Sequence, residues 1–282
     1  MGERIAAVGL LAGAGALPEA IARAVKAGDH TLVCVQVAGE SATLAATADH
    51  YLRMSAGALG ELLGAFRAQG VREAVVAGRF ARQDLMGHAG VADAALAGAL
   101  RSLTDRRDVP LLDGLARVLA GAGITLVEQT RFVGDLLAPP GVLSARDPTP
   151  EEAQDLAFGR AVARRIADLD IGQTLVVRRG IILAVEAAEG TDATIRRAGT
   201  LARDAVVVKV SRNRQDPRFD IPVVGPDTIA AMREASARVL GIDARRTLLL
   251  DRDRMIADAD AAGIAVEAAD APPLGLPVDA GS

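Results

Sequence analysis

Apolar residues in the first half of the chain form short continuous runs, separated by segments with helical periodicity. The runs typical of buried strands are residues 5–11, 31–37, 73–77 and 124–127. The segments typical of helices are residues 17–27, 58–69, 91–100 and 111–122. Strands that alternate with helices in this way predict a parallel sheet covered on both faces.

The second half of the chain repeats the alternation less regularly. Apolar runs at residues 173–177 and 181–185 surround an Arg-Arg-Gly turn at 178–180, which predicts a hairpin. Further strands are predicted at residues 205–210, 247–250 and 264–267, and helices at 151–168, 191–197, 226–240 and 256–262. A polar loop is expected at 211–219 and a loose tail from Ala271 onward.

A group of prolines separates the two halves. Pro139, Pro140, Pro148 and Pro150 fall together with Gly141 in one short stretch, which is typical of an interdomain connection. We therefore predict an α/β fold with an N-terminal domain over residues 1–135, a linker over 136–150 and a distinct mixed α/β C-terminal domain over 151–282.

Composition restricts the function. The chain is 50% hydrophobic but only 2% aromatic, so its core is expected to be aliphatic. A net charge of −4 and a pI near 5.5 argue against nucleic-acid binding. The single cysteine, Cys34, lies in an apolar run, which excludes a disulfide framework and favours a core position. Without a signal peptide or a membrane-spanning apolar stretch, we expect a cytoplasmic protein that contacts membrane surfaces at most transiently.

An acidic turn follows the apolar run of residues 181–185. Glu186, Glu189 and Asp192 lie within seven positions, with Thr191 beside the last of them. Ionised carboxylates avoid apolar surroundings unless a positive group joins them, and Mg²⁺ is a common partner because it prefers oxygen ligands. Mn²⁺ accepts the same ligands. Capping of the following helix by Thr191 or Asp192 is the alternative interpretation.

A glycine-rich turn links the first predicted strand to the first helix. Backbone N–H groups of Gly13, Ala14 and Gly15 can bind phosphate at such a turn. The third glycine of the dinucleotide-binding pattern is replaced by Pro18, so a simple tight turn is an equal alternative.

Two further segments carry charged residues after strands. Arg79 follows the strand at 73–77, at the sheet edge where ligands bind in parallel sheets. Lys209 begins a segment dense in both charges that extends to Asp220 and also contains Asp216. Its cations can hold a pyrophosphate while an aspartate binds metal or accepts a proton. A solvated loop is the alternative.

At these residues the chain resembles the LpxI family of UDP-2,3-diacylglucosamine pyrophosphatases. The similar segments are G-L-L-A-G-A-G-A-L-P at residues 9–18, D-I-G-Q at 170–173, L-A-V-E-A-A-E-G-T-D at 183–192 and R-F-D-I-P-V-V-G at 218–225. Their order and spacing agree with the family over almost the whole chain. The residues after Gly78 and the loop at 211–215 are less similar.

The resemblance implies a Rossmann-like N-terminal domain, a distinct C-terminal domain and an active site between them. It implies hydrolysis of UDP-2,3-diacylglucosamine to UMP and 2,3-diacylglucosamine 1-phosphate in lipid A synthesis, with a divalent metal, normally Mg²⁺, and water attacking the β-phosphorus. Asp220 matches the essential aspartate of the family. Glu186, Glu189, Thr191 and Asp192 match its catalytic loop, and Gly13 and Gly15 match its N-terminal ligand loop.

We therefore predict roles for ten residues. The catalytic residues are Asp220, Asp192 and Glu189; the substrate-binding residues are Gly13, Ala14, Gly15, Arg79, Thr191 and Lys209; the metal ligands are Glu186, Glu189, Asp192 and Asp220. A non-enzymatic sugar-nucleotide sensor and a nicotinamide-dependent oxidoreductase are the alternative functions. A homodimer is expected because symmetric dimers are the commonest oligomers.

Overall fold

The computed structural model of the chain describes residues 6–55, 57–80 and 108–271. The chain divides into two compact units. The first comprises Met1–Gly134 together with Pro217–Phe219, and the second comprises Asp135–Asp216 and Asp220–Ser282. Elements are numbered below over the described residues. The helix predicted at 91–100 and the tail beyond Ala271 lie outside them.

The first unit contains a five-stranded parallel sheet. Its elements are β1 (Ala7–Ala12), α1 (Ala16–Ala27), β2 (Thr31–Gln36), α2 (Ala42–Thr47), β3 (His50–Arg53), α3 (Leu59–Ala68), β4 (Glu73–Ala77), α4 (Asp108–Gly121), β5 (Thr125–Leu126) and α5 (Thr130–Val133). The strand order is β3-β2-β1-β4-β5, and every pair is parallel. This order matches the first five positions of the doubly wound Rossmann order 3-2-1-4-5-6, so the predicted α/β fold with a parallel sheet is confirmed.

The core of this sheet is mainly aliphatic, as the composition indicates, although Phe66 is also fully buried in it. Leu10 of β1 pairs with Cys34 of β2 and with Val75 of β4, and all three are fully buried. Cys34 is fully buried, which confirms its predicted core position, and burial raises the pKa of its thiol to about 12.

The sequence analysis missed α2 and β3. The side chain of Ser41 caps α2 by accepting a hydrogen bond from the Leu44 backbone N–H, at 3.1 Å. Strand β3 lies at the edge of the sheet, and its four residues are exposed or only half-buried. An edge strand with so little burial leaves no apolar run in the sequence.

The second unit contains a six-stranded mixed sheet. Its elements are β6 (Gly141–Val142), α6 (Pro150–Asp168), β7 (Thr174–Arg178), β8 (Ile181–Val185), α7 (Thr191–Gly199), β9 (Val206–Lys209), β10 (Val223–Val224), α8 (Pro226–Glu234), β11 (Val239–Ala244), β12 (Leu248–Leu249), α9 (Arg252–Ala261) and β13 (Ala265–Asp270). The order is β6-β13-β11-β9-β7-β8, in which β13, β11 and β9 are mutually parallel and the other pairs are antiparallel. Strands β10 and β12 form a separate parallel pair.

The predicted linker at 136–150 contributes to the second unit. Strand β6 pairs with β13, and the Leu143 backbone N–H donates to the carbonyl of Val266 at 2.8 Å. Thr149 then caps α6 in a reciprocal capping box with Glu152.

The helix predicted at 226–240 is wrong in its second half. Helix α8 ends at Glu234, and residues from Val239 onward form β11, between β13 and β9. The chain leaves the helix because Ser236 adopts a left-handed conformation with φ of 52°. Serine is not a typical residue at that position, so no local pattern marks the break.

The described residues contain no helix that is long and apolar enough to span a bilayer.

Candidate functional site

Three separate segments of the second unit meet at Gln173, which immediately precedes β7. Its backbone N–H donates to Glu186 Oε2 at 3.2 Å, and its side-chain Nε2 donates to Asp220 Oδ2 at 2.9 Å. Glu186 follows β8, and Asp220 follows the loop after β9. One residue therefore orients two of the predicted functional carboxylates.

The chain passes so close to the backbone of Glu186 that position 172 requires a glycine. A Cβ at Gly172 would collide with the backbone carbonyl of Glu186. The Glu186 backbone N–H in turn donates to the Thr174 carbonyl at 2.9 Å, which extends the pairing of β7 and β8 into the site. The D-I-G-Q segment thus packs directly on the start of the acidic turn.

Thr191 lies at the centre of a network of polar contacts beside Glu186. Its hydroxyl donates to Glu186 Oε1 at 2.9 Å and accepts from Lys209 Nζ at 2.9 Å. Thr174 Oγ1 lies 3.3 Å from the same hydroxyl. Lys209 also donates to the Val223 carbonyl at 3.0 Å, so its ammonium is fixed beside Thr191. The structure therefore brings Thr191, Lys209 and Glu186 together.

Asp220 is held by a second group of side chains. Arg212 Nη2 lies 3.2 Å from Asp220 Oδ2, while Arg212 Nη1 lies 2.7 Å from Asp170 Oδ1. Burial raises the pKa of Asp220 above its usual value, although the Arg212 charge and hydrogen bonds to Gln215 and Gln173 oppose that rise. A carboxyl whose pKa is raised toward the working pH is suited to proton transfer.

A buried ion pair fixes the start of the loop that carries Arg212 and Asp220. Asp243 is fully buried at the end of β11, and its Oδ1 lies 2.9 Å from Arg164 Nη2. Both the backbone N–H and the hydroxyl of Ser211 donate to Asp243 Oδ2 at 2.7 Å. The loop therefore begins from a fully hydrogen-bonded anchor inside the unit.

The other two predicted acids have different surroundings. Glu189 is exposed and bound by Arg197 Nη2 at 2.6 Å and by Thr194 Oγ1 at 3.2 Å. A hydrogen bond from its own backbone N–H and then the Arg197 guanidinium lower the pKa of Glu189. Asp192 lies in the first turn of α7, where the helix dipole favours an acid.

The structure does not bring the four predicted metal ligands together. Over the described residues, no group of three or more His, Cys, Asp and Glu side chains has an arrangement that could hold a metal ion. The reason lies in the local pairing, because Arg197 engages Glu189 while Gln173 and Arg212 engage Asp220.

The glycine turn of the first unit is tightly paired with the end of β4. The Gly13 N–H donates to the Ala77 carbonyl at 2.8 Å, and Ala14 and Arg79 exchange backbone hydrogen bonds of 2.9 and 2.8 Å. These N–H groups of Gly13 and Ala14 are thus used within the unit. Gly15 is the N-cap residue of α1 and has φ of 105°, with open space where a Cβ would point. The Arg79 side chain is exposed.

Sequence reasoning missed the site roles of Asp170, Gln173 and Arg212. The D-I-G-Q segment was recognised only as part of a resemblance, and Arg212 only as one charge in a dense loop. Hydrogen-bond partners 13 and 47 positions away along the chain give no local pattern to detect.

Comparisons with known proteins cover both units. The model of the LpxI N-terminal domain matches residues 7–136, and that of the LpxI C-terminal domain matches residues 139–267. A Caulobacter vibrioides protein named UDP-2,3-diacylglucosamine pyrophosphatase LpxI is 33% identical over 274 residues, which cover 92% of this chain and 96% of that protein. A solved glycinamide-RNase-transformylase T from Mycobacterium tuberculosis is 18% identical over 64% of this chain and 44% of that one, with a TM-score of only 0.24. Because the family matches extend over nearly all of the chain, this protein belongs to the LpxI family.

Proposed function

We propose that this protein hydrolyses UDP-2,3-diacylglucosamine to UMP and 2,3-diacylglucosamine 1-phosphate, a step of lipid A synthesis, in the cytoplasm. Membership of the LpxI family and the name of the Caulobacter relative support this activity. The structural observation that carries it is the double contact of Gln173 with Glu186 and Asp220, which joins the family's three C-terminal segments in one site.

The charges of this site suit a diphosphate. Lys209 and Arg212 are the cations beside Thr191 and Asp220, and they would bind non-bridging oxygens of the diphosphate. Water would attack the β-phosphorus and form a new P–O bond, while UMP leaves with the bridging oxygen. Asp220, whose pKa burial raises, would orient that water and accept its proton. Positioning and charge neutralisation would supply most of the rate, as in other phosphoryl transfers.

Mg²⁺ would fit this site only if substrate phosphates and waters supplied part of its ligands. The described residues offer no protein-only metal group, but Mg²⁺ commonly uses one or two carboxylates together with substrate phosphates and waters. We assign those carboxylates to Asp220 and Glu186, with Asp192 as the nearest further acid after Thr191. When bound, the ion would neutralise the diphosphate, and Mn²⁺ would serve similarly. Glu189 is the weakest candidate because Arg197 holds it.

For the first unit we propose a nucleotide-binding role. Gly15 caps the N-terminus of α1 beside open space, and the N-terminus of a helix favours an anion. Arg79 is exposed after β4, at the ligand-binding edge of a parallel sheet. Arg79→Ala is expected to raise the KM for the substrate more than it lowers kcat.

Replacement of Asp220 tests the assignment. Asp220→Ala should lower the rate of UMP release by about 10²- to 10⁴-fold, because the site loses its candidate proton acceptor. Asp227→Ala is the matched control, since Asp227 is an exposed aspartate in the first turn of α8. Asp220→Ala activity within a few-fold of the parent would exclude the assigned role.

Two measurements test the reaction itself. Hydrolysis in H₂¹⁸O should place the label in 2,3-diacylglucosamine 1-phosphate and not in UMP; label in UMP would show attack at the α-phosphorus.

Turnover should stop in EDTA and return with Mg²⁺ or Mn²⁺. A protein that binds the substrate but releases no UMP with either ion would instead be a sensor.

A further inference from the structure

Asp170 occupies a helix-capping position that normally belongs to glycine. It directly follows Leu169, the C-cap residue of α6, and its φ of 64° lies in the left-handed region. The Asp170 N–H donates to the Ala167 carbonyl at 3.0 Å, and the Ile171 N–H donates to the Ile166 carbonyl at 3.3 Å. These two bonds form a Schellman motif, in which glycine is usual because a Cβ disfavours the left-handed conformation. A carboxylate kept at such a position indicates a role other than ending the helix.

A second helix of this chain shows what the cap alone requires. Helix α1 ends in the same motif, with Asp29 at the position equivalent to Asp170, a φ of 57° and capping hydrogen bonds of 3.1 and 3.3 Å. The Asp29 side chain is exposed. The Asp170 side chain is only 20% exposed, and its Oδ1 lies 2.7 Å from Arg212 Nη1. The motif therefore forms without such an ion pair, and the contact with Arg212 is a separate feature of Asp170.

Arg212 lies between two carboxylates. Its Nη1 pairs with Asp170, and its Nη2 lies 3.2 Å from Asp220 Oδ2. The arginine side chain is only 18% exposed, so both pairs are partly shielded from water. Gln173 donates to the same Asp220 oxygen at 2.9 Å. Two residues of the D-I-G-Q segment therefore hold Asp220, Gln173 directly and Asp170 through Arg212.

The backbone on both sides of Arg212 is held by other residues of α6. Arg164 Nη1 donates to the Ser211 carbonyl at 3.1 Å. Asp168 accepts from the Asn213 backbone N–H at 2.9 Å and from the Asn213 side chain at 2.6 Å. The loop backbone at Arg212 is thus fixed by contacts that do not involve the D-I-G-Q segment.

Asp170 consequently fixes the side chain of Arg212 and not its backbone. Without the Asp170 carboxylate, the guanidinium would be able to rotate into a bidentate pair with Asp220, the geometry that arginine and carboxylate groups favour. That pair would occupy the Asp220 oxygens that the proposed reaction needs for water. It would also withdraw the cation from the diphosphate.

We propose that Asp170 is a positioning residue that holds the guanidinium of Arg212 between two carboxylates and thereby prevents it from closing on Asp220. In this role Asp170 acts through Arg212 and not on the substrate itself. Its effect on turnover rests on the proposed function, whereas the placement of Arg212 can be measured without turnover.

Matched glycine replacements test the proposal. Asp29→Gly and Asp170→Gly make the same change at the same capping position, and glycine suits the left-handed backbone of both. Asp29→Gly should keep the parental kcat and a Tm at or above that of the parent. Asp170→Gly should unfold within about 2 °C of the parent, because the better cap offsets the lost ion pair.

The kcat of Asp170→Gly for UMP release should nevertheless fall by about 10- to 100-fold, because the Arg212 guanidinium is misplaced. Its KM should change by less than about threefold, since the contacts that fix Lys209 do not involve Asp170. Asp170→Asn is the second variant, because asparagine tolerates the left-handed backbone and keeps one acceptor for Arg212. Its kcat should lie between those of the parent and Asp170→Gly.

A double replacement tests whether Asp170 acts through Arg212. In the Arg212→Met background, Asp170→Gly should change kcat by less than about twofold, because the guanidinium that Asp170 positions is already absent.

Arginine side-chain ¹⁵N NMR of the full chain measures the placement of Arg212 independently of turnover. The Arg212 Nε atom is buried, so its N–H should give a slowly exchanging signal, which is assigned by its loss in Arg212→Lys. Hydrogen exchange at this N–H should be at least about tenfold faster in Asp170→Gly and unchanged in Asp29→Gly.

Three results would overturn the proposal: a parental kcat in Asp170→Gly, unchanged exchange of the Arg212 signal in that variant, or equal fold losses of kcat in the parent and Arg212→Met backgrounds. Faster exchange in Asp170→Gly together with a parent that releases no UMP would contradict the proposed function alone, and would support the placement of Arg212 by Asp170.

Discussion

Gln173 shows how much of this site depends on single long-range hydrogen bonds. The acids Glu186 and Asp220 could be selected from the sequence because carboxylates in these segments indicate phosphate or metal chemistry. The orientation of these acids could not be predicted, because it is set by the neutral side chain of Gln173, which has no chemical signature of its own. A glutamine before a strand is an ordinary residue until both of its partners are known.

Removal of the Gln173 side chain should therefore affect turnover more than folding. Gln173→Ala deletes the donor to Asp220 but keeps the backbone N–H that binds Glu186. Because hydrogen bonds to charged groups contribute about 1.5–3 kcal/mol, kcat should fall by about 10- to 100-fold. The measurement is steady-state UMP release, with Gln69→Ala as the control at an exposed helix end. An unchanged kcat would show that Gln173 does not position Asp220.

Asp220 should lower the stability of the fold at neutral pH. Its pKa is raised in the folded state, so the folded protein binds this proton more tightly than the unfolded chain. That contribution to the free energy of unfolding is fully present below the unfolded pKa of about 4 and is lost as the pH rises through the folded pKa. Asp220→Asn removes this loss, because asparagine does not ionise.

The Tm of Asp220→Asn relative to the parent should therefore increase from pH 4 upward and become constant above the raised pKa of Asp220. Thermal unfolding followed by far-UV circular dichroism, in EDTA, measures it. The variant should also be nearly inactive, which would separate the requirements of function from those of folding. A Tm difference that shrinks as the pH rises would contradict the argument.

At the scale of elements, the sequence predicts the strands that carry continuous apolar runs and misses those that do not. The predicted strands β1, β2, β4, β7 and β8 are present, and each contains such a run. The first residues of β11 were included in a predicted helix, because Val239 and Leu240 continue the apolar spacing of α8. The left-handed turn at Ser236 separates the two elements, and only the folded backbone reveals it.

Two glycines inside helices allow a comparison of the cost of tight packing with the gain in helix propensity when each is replaced by alanine. A Cβ at Gly159 of α6 would lie 2.8 Å from Val208 Cγ2 of β9, whereas a Cβ at Gly64 of α3 would have no neighbour within 4 Å. Gly64→Ala should raise the free energy of unfolding by about 0.5–1 kcal/mol through better helix propensity. Gly159→Ala should lower it by about 1–3 kcal/mol, because overpacking forces α6 away from the sheet.

Urea unfolding of both variants beside the parent measures these changes. Parallel gains in the two variants would show that α6 can shift by a few tenths of an ångström without cost, and that Gly159 is not needed for its packing. Opposite signs would confirm that the close approach of α6 to β9 depends on this glycine.

At the scale of the whole molecule, the composition of the two units depends on contacts between residues that are distant along the chain. The first unit includes Pro217–Phe219, far along the chain. Gln129 holds these residues by donating from its backbone N–H to the Pro217 carbonyl at 3.0 Å, and Phe219 packs on the core of that unit. No local pattern marks three residues of a polar loop for this position, so only the three-dimensional contacts assign them.

The stability of the second unit should depend on the buried pair of Arg164 and Asp243. Arg164→Met leaves Asp243 buried without its closest cation, although Arg160 Nη1 remains 3.9 Å away. The free energy of unfolding should fall by about 3 kcal/mol, near the lower end of the usual range for a broken buried pair. Arg164→Met/Asp243→Asn should recover part of this loss, because asparagine removes the uncompensated charge but can still accept from Ser211.

Urea unfolding of the parent, Arg164→Met, Asp243→Asn and the double variant completes a double-mutant cycle that measures the coupling between the two residues. Activity should fall in both variants, since Asp243 fixes the start of the loop that carries Arg212 and Asp220. If the double variant were as unstable as Arg164→Met, the cost would lie in lost packing of the arginine stem and not in the uncompensated buried charge of Asp243. The pair of Arg164 and Asp243 would then stabilise the second unit through packing and not through charge. The start of the loop would be held by the Ser211 hydrogen bonds alone.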